Sequence, residues 1–166
     1  MTRFLPDEPF PAYAFTPGRN PHPVRHPDGH SYGAEPSAPS PPDPDDWRAS
    51  HDYLRGIDLF NAGYYWEAHE AWEGLWNVSG RAGAIALLLQ ALIALAAAGL
   101  KLRVHNELGT TAHSRRADWL LEDAIREAGP RQMGLDLMEL QEKARGIQEM
   151  EPAAPPAVLG FELNPA

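Results

Sequence analysis

The residues of this chain best suited to chemistry are His69, Glu70 and Glu73, inside the stretch Tyr64 to Trp76, YYWEAHEAWEGLW. At 100° per residue on a helix, Tyr65, Trp72 and Trp76 share one face, His69 sits at its edge and Glu73 lies one turn beyond His69. Glu70 lies further round, toward solvent. An imidazole and a carboxylate four residues apart can face a single ion, and the same groups can carry protons. The zincin pattern HExxH does not fit, because Glu73 stands where its second histidine would be. A ferritin-like diiron site does not fit either, since it takes Glu-x-x-His pairs from two helices and this chain has none. Further ligands must come from elsewhere, and His22 and His30 are the sequence candidates. With His69 and Glu73 they make three histidines and a carboxylate, a set that suits zinc, manganese or ferrous iron and leaves a position open for water. Glu70 or Glu73 is then the proton acceptor.

The same residues have a structural reading. His69 lies beside Trp72 and Trp76, and its ring nitrogens can bond Glu73 and Gln90 to lock the helix packing. With the following turn centred near Ser79, His69 and Gln90 stand at similar heights in an antiparallel pair. In that reading Gln90 and Trp76 are structural polar residues.

A second cluster sits at the other end of the central segment. Lys101 and Arg103 close one expected helix, and His113, Arg115 and Arg116 open the next, with Glu107 as the acid between them. Counted from a loop near Leu108, Lys101 and Arg116 stand almost level. Lys101, His113 and Arg116, with the free N–H groups of the helix start, are therefore candidates to bind a small anion such as phosphate or carboxylate. Gln90 is eleven residues from Lys101, about 16 Å along an ideal helix, so straight antiparallel helices hold the two clusters apart. Only steep crossing angles, or a bridging arm, unite them.

The elements that must position these groups are legible in composition and periodicity. Twelve of the 17 prolines precede Trp47, dividing the 166 residues into a Pro-rich arm and linker over 1–46 and an almost Pro-free body. Prolines this dense forbid regular helix. Phe10, Tyr13, Phe15 and Tyr32 nevertheless predict that residues 4–33 lie ordered against the body, with Pro27-Asp28-Gly29 as a turn near His26. The body predicts helices over Trp47 to Ala62, through the Tyr64 stretch to about Asn77, Ala82 to about Asn106, a fourth opened by Gly109 and Thr110 or Thr111 and ended by Gly129-Pro130, and Met133 to about Met150. The segment Ala84 to Leu100 has no charged residue, yet it is rich in alanine and has partner helices, which favours a buried central helix over a membrane span. Residues 151–166 read as an irregular tail. The five tryptophans, Trp47, Trp66, Trp72, Trp76 and Trp119, read as core and interface anchors.

Several functions are disfavoured. A net charge of -9 argues against nucleic acid as the main partner. Without cysteine there is no disulfide framework and no thiolate metal site. No nucleophile elbow, Rossmann fingerprint or phosphate loop is present. The start MTRFLPDEPF lacks the blocks of a signal peptide, so a cytoplasmic location is expected.

The run FNAGYYWEAHEAWEGLW followed by LLLQALIALAAAGLK resembles the domain-of-unknown-function family 309, whose signature is a helix containing HE, then E, then W, ahead of a long apolar helix. The resemblance spans roughly Trp47 to Ala128. The arm PGRNPHPVRHPDGHSYG, with Lys101, His113 and Arg116, is similar to a longer-armed subgroup of that family. It implies a small helical bundle without an established activity, and makes His69, Glu70, Glu73 and Trp76 the signature positions.

The expected architecture is thus all-α: a compact bundle of about five helices over 47–150 with the Pro-rich arm packed on it. Two functions remain open. One is a metal-binding protein, a small metal-dependent hydrolase acting on an anionic substrate. The other is a non-catalytic binding or oligomeric module, a homodimer in which His69, Glu73 and Gln90 form the polar lock.

Overall fold

Capping residues and glycines set where the helices begin and end. A computed structural model describes residues 3–35, 39–147, 149–150 and 160–163. It has five helices: α1 (His51–Asn61), α2 (Tyr65–Val78), α3 (Ala84–Arg103), α4 (Glu107–Ala128) and α5 (Leu137–Ile147). Gly63 follows α1 with φ +82, the left-handed conformation glycine adopts without strain. The Asn106 side chain caps α4 by accepting the Gly109 N–H at 2.8 Å.

The all-α bundle is confirmed, with four local differences, one being that the fourth helix starts at Glu107, ahead of the expected Gly109, because Asn106 caps it. The first expected helix is broken, because Trp47–Ala49 forms a 3-10 turn and Ser50 is extended before α1 begins. The third is shorter than Ala82 to Asn106, since Gly83 and His105 take positive φ just outside its two ends. The fifth starts at Leu137. Residues before it form a small antiparallel hairpin, β1 (Arg131–Gln132) and β2 (Leu135–Asp136), turned by Met133 and Gly134, both at positive φ. Met133 continues the apolar stripe of α5, which is why periodicity extended the helix to it. Its side chain is buried by the turn instead, and its carbonyl accepts the Tyr53 hydroxyl at 2.8 Å.

α3 lies at the centre, with α2 against one side and α4 against the other. It is long and apolar enough to cross a membrane by length and composition, but Leu88, Leu89, Leu92 and Leu95 are fully buried between its neighbours. Each such leucine contributes about 1.5–3 kcal/mol on leaving water, so its apolarity is that of a core helix.

The arm packs on α1 and α2, and two buried carboxylates hold it. Asp58 accepts the N–H groups of Phe4 and Leu5 at 2.9 and 2.8 Å. Glu67 Oε1 accepts the Phe15 N–H at 2.9 Å and lies 3.0 Å from His30 Nε2. Charge-assisted bonds of this kind are about twice as strong as neutral ones and offset much of the cost of burying each acid. Phe10 stacks on Tyr64, and Phe15 meets the edge of Trp66. Of the expected irregular tail, residues 151–159 and 164–166 lie outside the described residues. The stretch 160–163 has no regular structure, yet Phe161 is buried against Phe60 and Trp72, and Asn61 bonds both its N–H and its carbonyl.

Candidate functional site

Trp72 fixes the rotation of α2. Its indole is fully buried against α1 at a point where Gly56 leaves room for it, and Ala68 and Leu75 turn toward α3 on the same side. That phase sends His69, Glu73 and Trp76 into the angle between α2 and α4. There they form one wall of a cleft of about 240 Å³ whose floor is Ile93, Ala94 and Ala97 of α3. Gln90 lies at one end of the floor, and His113 and Arg116 of α4 form the opposite wall.

The two clusters that straight helices were expected to separate therefore share one cleft. The reason is where the turns fall. The α2–α3 turn is centred near residue 81, so His69, twelve residues before it, stands level with Ile93, twelve after it. The α3–α4 turn is centred near residue 105, so Arg116 stands level with Ala94 and His113 with Ala97. Placing the second turn at Leu108 had set Arg116 beside Lys101, about six residues too far along α3. Lys101 does not line the cleft. Its stem lies across the first turn of α4, where a Cβ on Gly109 would be 3.0 Å from its Cγ and Cδ.

His69 Nδ1 lies 3.5 Å from Glu70 Oε1 and 3.8 Å from Glu73 Oε2. One ligand atom from each of the three residues falls within 4.8 Å of the others. His69 Nδ1 is buried without a hydrogen-bond partner, and so is Trp76 Nε1 on the same wall. The expected polar lock is not formed, since no hydrogen bond joins His69 to Gln90 or to Glu73 among the described residues. On the facing wall, burial, followed by the charges of Lys101, Arg116 and His69, holds the His113 imidazole below its ordinary value, so it is neutral at pH 7. Arg116 and Lys101 form no ion pair among the described residues, in a chain with nine more formal negative than positive charges.

His22 and His30 do not join this cluster, which corrects the four-ligand arrangement of His69, Glu73 and the two arm histidines. Both are used between the arm and α2. His22 packs against Phe15 and Trp66. His30 has both ring nitrogens engaged, Nε2 with Glu67 and Nδ1 with Ser31 Oγ at 2.8 Å. Glu67 is two residues from His69, about 200° around the helix, so it draws His30 to the side of α2 turned away from the cleft. Glu67 itself is buried. The signal that could have shown it is the arm, whose aromatic and histidine side chains need a polar anchor on the helix they cover.

No curated protein matches the sequence. The helical core does match a family model, over a span that takes in His69, Glu70, Glu73, Trp76 and Gln90 and stops one residue before His113. Residues 53–112, from α1 into α4 and 60 of the 166 residues, match the model of the family described as "Domain of unknown function (DUF309)".

Proposed function

We propose that the cleft binds a divalent metal ion on His69, Glu70 and Glu73 and holds a small anionic ligand against His113 and Arg116, as a small metal-dependent hydrolase does. The observation that carries this reading is the spacing around His69 Nδ1. Ligand atoms about 2.0–2.2 Å from a common ion at tetrahedral angles lie roughly 3.4 Å apart. The two carboxylate oxygens stand at 3.5 and 3.8 Å from the unpartnered ring nitrogen.

One nitrogen and two carboxylate oxygens suit zinc, manganese or ferrous iron and leave coordination positions for water and substrate. An ion there supplies Lewis acidity and lowers the pKa of bound water. The chain's own groups do the rest. Arg116 holds the anionic part of the ligand, neutral His113 donates or accepts a hydrogen bond beside it, and the carboxylate of Glu70 or Glu73 takes a proton. The cleft volume of about 240 Å³ lies below the roughly 300–1,000 Å³ of pockets for drug-sized ligands, which points to a small metabolite.

The test is elemental analysis and equilibrium dialysis of the purified full chain against zinc, manganese and ferrous ions. Close to one ion per chain is expected. It should be lost in His69→Ala and Glu73→Gln and kept in His30→Ala, because His30 serves Glu67. A wild-type chain that takes up none of the three ions overturns the metal reading. With metal bound, Arg116→Ala should raise KM for a phosphomonoester or carboxylate substrate and leave the metal content unchanged.

A further inference from the structure

α4 carries a second surface, on the side turned from α3. Leu108 is 87% exposed and Trp119 is 66% exposed. They are eleven residues apart, which is about 20° around the helix and roughly 16 Å along it, so they lie on one face. Ala112, Arg115, Glu122 and Arg126 are also exposed and fill the positions between and beyond them. The stripe runs 108, 112, 115, 119, 122, 126, with steps of four, three, four, three and four. That spacing is the heptad spacing of a helix-pairing seam, and it reads the same in both directions.

We propose that α4 is the contact between two copies of this chain, paired antiparallel about a twofold axis near the level of residue 117. A palindromic stripe superposes on itself under that operation, as an isologous interface requires. Leu108 then faces Arg126 of the second copy, Ala112 faces Glu122, and Arg115 faces Trp119. The charges fit the same register. Along α4 the first half, 107–116, carries Glu107, Arg115 and Arg116, two positive charges against one negative, and the second half, 118–128, carries Asp118, Glu122, Asp123 and Glu127 against Arg126, four negative against one positive. Antiparallel pairing sets the basic half of each copy against the acidic half of the other, whereas parallel pairing sets like against like. Arg115 also reaches the Trp119 ring, a cation–π arrangement formed twice.

The existing ion pairs do not oppose this. Arg126 lies 2.6 Å from Asp123 and 3.3 Å from Glu122 within its own helix, and all three are exposed. Exposed pairs of this type contribute about 0–1 kcal/mol and rearrange readily. An indole with two thirds of its surface in water is the residue type that anchors interfaces. This contact does not depend on the metal reading, since no stripe residue is His69, Glu70 or Glu73, and Arg116, which lines the cleft, only flanks the stripe.

The test is sedimentation equilibrium of the full chain from about 1 to 500 µM, with and without the substitutions. A reversible dimer is expected. Trp119→Ala should raise its dissociation constant about thirty-fold. Arg115→Glu should also weaken it, by placing an acid against Glu122 and Asp123, and Arg115→Glu combined with Glu122→Arg should restore much of the loss. Thermal melts keep the reading clean, because both sites are exposed and the variants should unfold near the wild-type temperature. A monomer throughout the range overturns the proposal. So does a dimer whose dissociation constant ignores Trp119→Ala, or an open-ended assembly in place of a closed pair.

Discussion

Replacing Gly56 by alanine tests how α2 is held, and two effects compete. On an exposed helix the change stabilises by about 1 kcal/mol, because glycine gives up more backbone freedom on folding. At Gly56 the new Cβ would lie 2.1 Å from Trp72 Nε1 and 2.5 Å from its Cε2. The indole cannot retreat easily, since it is fully buried and packed on Phe60 and Phe161, and its Nε1–H donates to the Tyr53 carbonyl at 3.4 Å. Overpacking costs about 1–3 kcal/mol. Leaving the buried indole donor or its acceptor unpaired costs about 1–3 more. Against a gain of about 1, the net is a destabilisation near 3 kcal/mol. For a chain of this length 1 kcal/mol moves the melting temperature by roughly 2–4 °C, so Gly56→Ala should melt about 6–12 °C lower. Gly146 in α5 is the internal control, since nothing lies within 4 Å of where its Cβ would be. Gly146→Ala should gain about 0.5–1 kcal/mol and melt slightly higher. Circular dichroism at 222 nm reads both. A Gly56→Ala protein that melts at or above wild type would refute the packing of Trp72 against α1.

Tyr53→Phe removes the buried bond to the Met133 carbonyl and should cost about 1–3 kcal/mol, read as a lower urea midpoint with an unchanged slope. An unchanged midpoint would mean that Tyr53 does not hold the hairpin. The pH dependence has two opposed histidine contributions. His113 is lowered by burial and by the charges of Lys101, Arg116 and His69. Between its folded value and 6.5 the unfolded chain binds more protons, so its contribution to stability is full above 6.5 and is lost as pH falls through the folded value. His113→Gln should flatten the acid-side loss in urea midpoints. His51 is raised chiefly by its bond to Glu8, and its contribution is present below 6.5 and lost as pH rises through its folded value. The pair is largely exposed, so His51→Gln should lower stability only slightly below pH 6.5, and variant and wild type should converge as pH rises through the folded value.

Periodicity and punctuation were enough for the five helices, because amphipathic stripes and glycine stops are local signals. The misplaced boundaries came from longer-range causes. Helical period carried the last stripe back to Met133, and only the Tyr53 hydroxyl and the close fit of Gly134 on Trp47 pull that residue into a turn. The site was legible on α2, where His69, Glu70 and Glu73 follow from spacing alone. The meeting of α2 with His113 and Arg116 was not, because it depends on two turn centres. An error of three residues in the second, at Leu108 instead of 105, moves the facing residue by six positions, about 9 Å. The fates of His22 and His30 were beyond spacing altogether. Spacing does not say which face of α2 a proline-rich segment without regular structure will cover, and the buried carboxylate of Glu67 selected it.

That selection separates the polar groups of α1 and α2 into two kinds. Asp58 is buried and both of its oxygens accept backbone N–H groups, and Glu67 Oε1 takes two partners from the arm, while Glu67 Oε2 is buried without one. These carboxylates hold the arm to the body. In the cleft two unpartnered groups stand on one wall. His69 Nδ1 and Trp76 Nε1 are buried without partners, although Glu73 and Gln90 line the same walls and have the acceptors and donors to serve them. Each buried group left unpaired costs about 1–3 kcal/mol, and apolar side chains of similar size at those positions would remove the cost. Packing alone therefore does not account for a histidine, an indole N–H, the Glu73 carboxylate and an arginine without an ion pair among the described residues converging on one small cavity, with Glu70 exposed beside His69. A ligand that brings both positive charge for Glu70, Glu73 and the ring nitrogen and negative charge for Arg116 would satisfy all of them at once, and a metal ion with a small anion beside it is the simplest pair that does.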